Sequence, residues 1–457
     1  MKVFIRSEFV PAAATFALGT GLAALTYRRG RMLTFDGYYY CELAKGFSRS
    51  WPDRLGNHWT FGYPFLGGLA VRAGLPAYAA LTAVSLIFFA ILIALAGAAL
   101  KPNPWRWLII SALAAAPIVG VQLFGILTEL PFAAALLGLA VSLAGWPRRA
   151  ALGNAAGCAV LALTLRYAGI VTVAMLACWL MVQWQELRRA RRLSEAIAAC
   201  LITAALMTTL IGINVYQSGH ASGADRGSAP GLHTLPCQLL NLGWSAPSAL
   251  FAGGLRDRLG IETLAGKLIG LAIFALITAV SACAWLRPRT SFSRPLALAA
   301  FGYLAGMGVL HCVGDFDALY NARTFLPALF PLGLLLAEQA GTRRSALLAG
   351  CVILLAGGTV AAFRGISRQV GGDVQAAIMP LRSKLTPTDT VAINDDAFSL
   401  SAYLSQPTHR AWFENWNENS TDRFLVVAAE PRDRYGDSKP LPKGWLDLCG
   451  HLVARHR

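Results

Sequence analysis

Long apolar runs separated by short polar connections fill most of the chain. Runs of the roughly 17–25 apolar residues that a helix needs to cross a bilayer lie near 9 to 26, 76 to 100, 105 to 125, 128 to 146, 150 to 165 and 167 to 184. Further runs lie near 196 to 216, 265 to 286, 295 to 312, 324 to 340 and 345 to 363. The pattern predicts a mostly α, polytopic transmembrane bundle of about eleven spans, occupying 1–363 and interrupted by polar stretches at 28–75 and 217–264 that read as outer loops. Past residue 364 the pattern changes. Short β-rich segments such as Thr390-Val391-Ala392-Ile393 and Phe424-Leu425-Val426-Val427 alternate with turn residues such as Asn394-Asp395-Asp396. That alternation predicts a small α/β domain over 364–457. No internal repeat or low-complexity tract interrupts either part.

Composition agrees with residence in lipid, since 56% of residues are hydrophobic and only 14% are charged. The formal net charge of +16 raises nucleic acid as a partner, but that reading needs Lys and Arg clustered on one soluble face. Here they fall in the short connections, and topology accounts for them without nucleic acid. With the N-terminus cytoplasmic, inward connections carry Lys101 with Arg106, Arg148 with Arg149, and Arg188, Arg189, Arg191 with Arg192, followed by Arg287, Arg289 and Arg294, then Arg343 with Arg344. The outward turns near 126, 166 and 313 to 323 carry one basic residue or none, as the positive-inside rule requires. An odd number of spans leaves the tail outside, so a bacterial inner membrane with a periplasmic C-terminal domain is expected. The first run reads as a retained anchor rather than a cleaved signal. The outer stretch 28–62 runs against the charge rule with Arg28, Arg29, Arg31, Lys45, Arg49 and Arg54. Long loops translocate largely regardless of charge, and a site for an anionic lipid would want such residues.

The nine cysteines show no CxxC pair and no metal-ligand spacing. Cys158, Cys178, Cys200, Cys283 and Cys351 lie in apolar runs as packing residues, whereas Cys41, Cys237 and Cys449 fall on the outer side, where a disulfide is permitted.

Candidate chemistry gathers at the outer turns. Asp36 follows the first span in Thr34-Phe35-Asp36-Gly37-Tyr38-Tyr39-Tyr40, and aromatics of this kind rest at headgroup level. An acid among them would be held, oriented and partly desolvated so as to serve as a base. His58 and Tyr63 stand in Asn57-His58-Trp59-Thr60-Phe61-Gly62-Tyr63-Pro64, Glu129 in Thr128-Glu129-Leu130-Pro131, Arg166 in Leu165-Arg166-Tyr167-Ala168-Gly169, and Arg323 in Asn321-Ala322-Arg323-Thr324-Phe325-Leu326-Pro327. Ionisable groups at membrane ends are costly and therefore functional candidates. Arg166 and Arg323 could equally snorkel as topology anchors, and Glu129 could simply favour the positive end of a helix.

In order and side, these pieces resemble the glycosyltransferase C superfamily, polytopic enzymes that include protein O-mannosyltransferases and lipid A aminoarabinose transferases. The resemblance implies transfer of a sugar from a polyprenyl-phosphate-linked donor to a lipid, glycan or protein acceptor on the outer face, with inversion. It implies Asp36 as the base and Glu129 as an acceptor-orienting or cation-holding catalytic residue. Arg166 and Arg323 would bind the donor phosphate, and Tyr39, His58 and Tyr63 would contact substrate. No cofactor is certain, and a divalent metal stays open. The chain departs from the family pattern in two places. Many relatives carry two adjacent acids where this chain has Asp36-Gly37, and aminoarabinose transferases show Lys-Pro-Pro where it has Phe61-Gly62-Tyr63-Pro64.

Two other classes are consistent with a polytopic chain. A transporter or flippase for a lipid-linked glycan would place charges near the bilayer midplane on broken helices, whereas the span interiors here are almost free of them. An outer-face glycan polymerase or ligase would use similar arginines without needing a first-loop aspartate.

Overall fold

The computed structural model describes residues 2–27, 35–49, 60–102, 105–221, 231–251, 264–313, 322–340 and 344–367, then residue 386 and five short strand segments. Helices α1 (Lys2–Tyr27), α2 (Phe35–Arg49), α3 (Gly62–Arg72), α4 (Ala77–Ala99), α5 (Arg106–Ala114) and α6 (Pro117–Phe124) lead into α7 (Glu129–Ala144), α8 (Arg149–Leu165), α9 (Ile170–Val182) and α10 (Trp184–Arg189). They are followed by α11 (Leu193–Ser218), α12 (Leu235–Phe251), α13 (Leu264–Leu286), α14 (Ser293–Ala297), α15 (Tyr303–Val313), α16 (Ala322–Ala340) and α17 (Arg344–Ser367).

Each apolar run is helical, but length separates them. Among the described residues, five helices are long and apolar enough to cross a membrane, or six when the bent pair α5 and α6 is taken as one. That pair bends by 58° where Pro117 opens α6, because proline has no N–H to continue the preceding helix and is favoured at a first turn. Helices α7 and α8 are apolar but shorter. At 1.5 Å per residue they fall below the bilayer's hydrocarbon thickness.

Helix α7 is buried along almost its whole length and packs against α4, α8, α14 and α16. A helix apolar on every side belongs at the centre of a bundle, and its first residue is Glu129.

Both stretches read as outer loops contain helices. Residues 35–49 form α2, whose Gly37, Tyr40, Cys41, Ala44 and Phe47 are buried at helical spacing against α3 and α4. Tyr38 and Tyr40 are accordingly buried among the helices. Residues 235–251 form α12, packed against α6, α13, α15, α16 and α17.

Polar contacts sort by the two expected ends of the bundle. At one end Arg106 pairs with Glu8, Arg149 and Arg192 share Glu195, and Arg289 donates to the Glu338 carbonyl. At the other, Tyr40 meets Thr128, Thr60 meets Leu165 and Arg323 meets Glu129.

Beyond α17, five strands form one mixed sheet in the order β2-β1-β3-β5-β4. They are β1 (Val391–Ile393), β2 (Thr408–Arg410), β3 (Phe424–Ala428), β4 (Leu446–Asp447) and β5 (Leu452–His456). β1 runs parallel to β2 and β3, and β5 runs antiparallel to β3 and β4. The remainder of the expected 364–457 domain, Cys449 included, lies outside the described residues. Cys41 and Cys237 are free thiols.

Candidate active site

Four residues from four separate turns meet as one ionic cluster. Arg323 Nη1 lies 2.6 Å from Asp36 Oδ2, while its Nε donates to Glu129 Oε1 at 2.8 Å. Arg166 pairs with the same Glu129 oxygen. Glu129 has no exposed surface, whereas the side chains of Asp36 and Arg323 retain 27% and 21% exposure. The cluster therefore has a wet side carrying Asp36 and a dry floor carrying Glu129. Its two carboxylates and two guanidiniums are charge-balanced.

Each member is held by local backbone. Asp36 occupies the first turn of α2, and the next residue fixes where that turn sits. A Cβ on Gly37 would drive deep into the Gly125 carbonyl oxygen and press on that of Ile126. The link between α6 and α7 that supplies those carbonyls is itself strained, with the β-branched Ile126 at φ 55°. Such a left-handed residue costs on the order of 1–3 kcal/mol and persists only where its surroundings impose it. Any side chain at 37 would therefore push α2, and Asp36 with it, off its seat. Gly37→Ala is expected to lower stability by about 1–3 kcal/mol and to reduce activity by displacing Asp36. Thermal unfolding measured beside a Gly21→Ala control, whose Cβ would enter open space, checks this.

Arg166 stands in extended backbone between α8 and the turn that opens α9. Its N–H reaches Ala162 at 3.0 Å and its carbonyl accepts from Gly169 at 2.8 Å. Gly169 lies so close to α8 that a Cβ would sit 2.5 Å from the Ala162 carbonyl. Thr60 closes the other side, donating to Leu165 at 2.5 Å. Burial works against the charge on Arg166, but Glu129 beside it outweighs burial, and its pKa lies above the ordinary arginine value. Arg323 lies in the first turn of α16, where Pro327, inside the helix, has no N–H to give the Arg323 carbonyl. The next residue is steadied by Tyr303, whose hydroxyl donates to the Thr324 carbonyl at 3.1 Å.

Glu129, expected to act on the acceptor or hold a cation, is enclosed beneath Arg166 and Arg323 and pairs with both. Its Oε2 is buried without a hydrogen-bond partner among the described residues. Among those residues no group of three His, Cys, Asp or Glu is placed to hold a metal ion. Tyr63, expected at the substrate, is fully buried, and its hydroxyl meets Ser85 Oγ at 2.7 Å and the Leu81 carbonyl at 3.1 Å. Its ring stands edge-on to Tyr40 at 5.4 Å, so it props α2 from within. Tyr39 is half-buried against Tyr38, and His58 lies outside the described residues. Sequence reasoning missed Tyr303, which follows a π-helical turn at Leu298–Gly302. Such turns recur at functional sites but leave no residue signature.

No family model matches the chain, and no curated protein matches it in sequence. Among solved structures it is similar to ArnT, the lipid A aminoarabinose transferase, from Cupriavidus metallidurans bound to undecaprenyl phosphate. That likeness has 15% identity and a TM-score of 0.48 over 98% of this chain and 97% of that one. It is also similar to the Archaeoglobus fulgidus oligosaccharyltransferase in the apo form, at 11% identity and a TM-score of 0.48 over 92% of this chain and 70% of that one. The same organism's AglB in complex with an inhibitory peptide and a dolichol-phosphate aligns at 10% identity and a TM-score of 0.44, over 92% of this chain and 69% of that one. ArnT and AglB are both members of the glycosyltransferase C superfamily.

Proposed function

We propose that this chain is a membrane glycosyltransferase that moves a sugar from a polyprenyl-phosphate-linked donor to an acceptor hydroxyl at the outer face. The observation that carries this reading is Arg323 bridging an accessible carboxylate, Asp36, and a buried one, Glu129. A base and a phosphate-binding fork thereby share one site. Guanidinium forks match phosphate oxygens and stay charged near lipid.

In the resting site Arg323 neutralises Asp36. A donor phosphate competes for the Arg323 fork, and as it takes the guanidinium it releases Asp36 as a base. The acceptor oxygen then attacks the anomeric carbon as its proton passes to an Asp36 carboxylate oxygen. The carbon–oxygen bond to phosphate breaks with its electron pair on the phosphate, and the configuration inverts because attack and departure are in line. Arg166 and Arg323 stabilise the charge that gathers on the departing polyprenyl phosphate. Glu129 keeps both arginines extended and touches neither substrate.

The fork can be tested apart from the chemistry. Arg166→Lys keeps the charge but loses the planar, two-pronged donor, and is expected to weaken retention of polyprenyl phosphate about tenfold, the loss of roughly one charged hydrogen bond. Titration of the detergent-solubilised protein with short-chain polyprenyl phosphate, followed by native mass spectrometry, reads this directly. Equal retention by the lysine variant would reduce Arg166 to a topology anchor.

A further inference from the structure

Helix α11 is long and apolar enough to cross a membrane, and it turns Leu201, Ile202, Leu206, Val215 and Tyr216 outward, all exposed. Near its outer end it nonetheless buries one polar side chain, Asn214, at 3% exposure. A polar group inside an apolar helix is costly unless it is hydrogen-bonded, and both ends of the Asn214 amide are bonded. Its Oδ1 accepts from the Tyr167 hydroxyl at 3.3 Å, and its Nδ2 donates to the Ala221 carbonyl at 2.9 Å. A carbonyl can only accept, so the Ala221 contact fixes which way round the amide stands.

Tyr167 directly follows Arg166, and from the end of α8 the two side chains reach different helices. Arg166 pairs with Glu129 on α7, Tyr167 bonds Asn214 on α11, and α7 and α11 both pack against α8. The turn that carries the guanidinium is thereby tied on two sides. On the α11 side the chain curls back to meet the tie. Gly219 is left-handed at φ 74°, its N–H donates to the Val215 carbonyl at 2.9 Å, and Ser218 Oγ donates to the Asn214 carbonyl at 2.8 Å. The reversal brings the Ala221 carbonyl to the Asn214 amide. Leucine has nearly the same volume and would fill the position without burying a polar group, so packing alone does not account for the asparagine.

Resting on the transferase reading, we propose that Tyr167 and Asn214 are positioning residues for the donor phosphate: they set the angle of the Arg166 fork by tying its turn to the outer end of α11 and to the chain that leaves it at Ala221. A planar guanidinium bonds phosphate best when its plane is held. Glu129 meets the tip of the Arg166 side chain and leaves the backbone behind it to be fixed by other contacts. Tyr167 and Asn214 touch no substrate and act through Arg166. Capture of the lipid-linked donor is thus set in part by the turn at 219–221, outside the ionic cluster.

The test uses the full-length protein in detergent, short-chain polyprenyl phosphate as the probe and native mass spectrometry as the readout. Tyr167→Phe removes only the hydroxyl and is expected to weaken retention about three- to tenfold, the worth of roughly one hydrogen bond. In the Arg166→Lys background the same change should alter retention by less than about twofold, because residues that act through one another are not additive. Asn214→Leu removes the tie from the α11 side and should show the same dependence on Arg166, so a folding defect in one variant leaves the other to decide. Tyr216→Phe, at the 91% exposed position on the same helix, is the control and should retain the probe as wild type does. A merely structural tie would lower the thermal midpoint and weaken retention equally in both backgrounds, and that result overturns the proposal. Wild-type retention by both variants overturns it too, as does an Arg166→Lys protein that binds as tightly as wild type. Failure of wild type to bind polyprenyl phosphate in any form would instead remove the transferase reading beneath it.

Discussion

Glu129→Ala is expected to lower stability by about 3–5 kcal/mol, the cost of removing one partner from a buried ion pair and leaving the other uncompensated. The magnitude is large because a single oxygen, Glu129 Oε1, takes both Arg166 and Arg323. Without it two guanidiniums lose a shared counter-charge at the N-terminus of the most enclosed helix in the bundle. Sugar transfer should disappear along with the alignment of the arginines. Glu129→Gln keeps the shape and one acceptor oxygen, so it should retain more stability than alanine while still transferring poorly. Thermal unfolding in detergent separates the three proteins. If Glu129→Ala unfolds with wild type and still transfers sugar, the floor of the cluster is not what holds the site.

Asp36→Asn should behave in the opposite way. Its contact with Arg323 lies on the wet side of the cluster, where an ion pair contributes about 0–1 kcal/mol, so the unfolding midpoint should hardly move. The amide can still accept from Arg323 but cannot take a proton from an acceptor hydroxyl. Loss of general-base catalysis is worth about 10²–10⁴-fold in rate, and donor binding should be kept or tightened as Arg323 is released toward phosphate. A stability loss matching that of Glu129→Ala would make Asp36 structural instead.

The apolar runs were legible because a helix in lipid must satisfy its backbone internally and present a nearly uninterrupted apolar surface. The turns carrying Asp36, Glu129, Arg166 and Arg323 were legible for the same reason, since charge at the edge of such a run is conspicuous. What each residue does there was less visible. Glu129 and Asp36 look alike in sequence, and only the packing of α7 decides that one is enclosed and the other open. Tyr63 sits in a polar, aromatic stretch that suggests substrate, yet its hydroxyl is spent on Leu81 and Ser85, partners a helix away. Helix α2 is hard to see in the sequence because Asp36, Gly37 and three tyrosines lower its apolar content. The spacing of Gly37, Tyr40, Cys41, Ala44 and Phe47 was the available signal. Helix α12 was hidden similarly, although Leu235, Leu239 and Gly243 mark one face at four-residue intervals.

The most direct test of the central claim is mass spectrometry of envelope glycans and polyprenyl-linked sugars from cells lacking the protein, complemented with wild type or with Asp36→Asn at equal expression. The account predicts that Asp36→Asn matches the deletion, with one sugar missing from an acceptor and its polyprenyl-linked donor accumulated, while wild type restores both. If Asp36→Asn restores the glycans as wild type does, Asp36 is not the base and the transferase mechanism built on its pairing with Arg323 is contradicted.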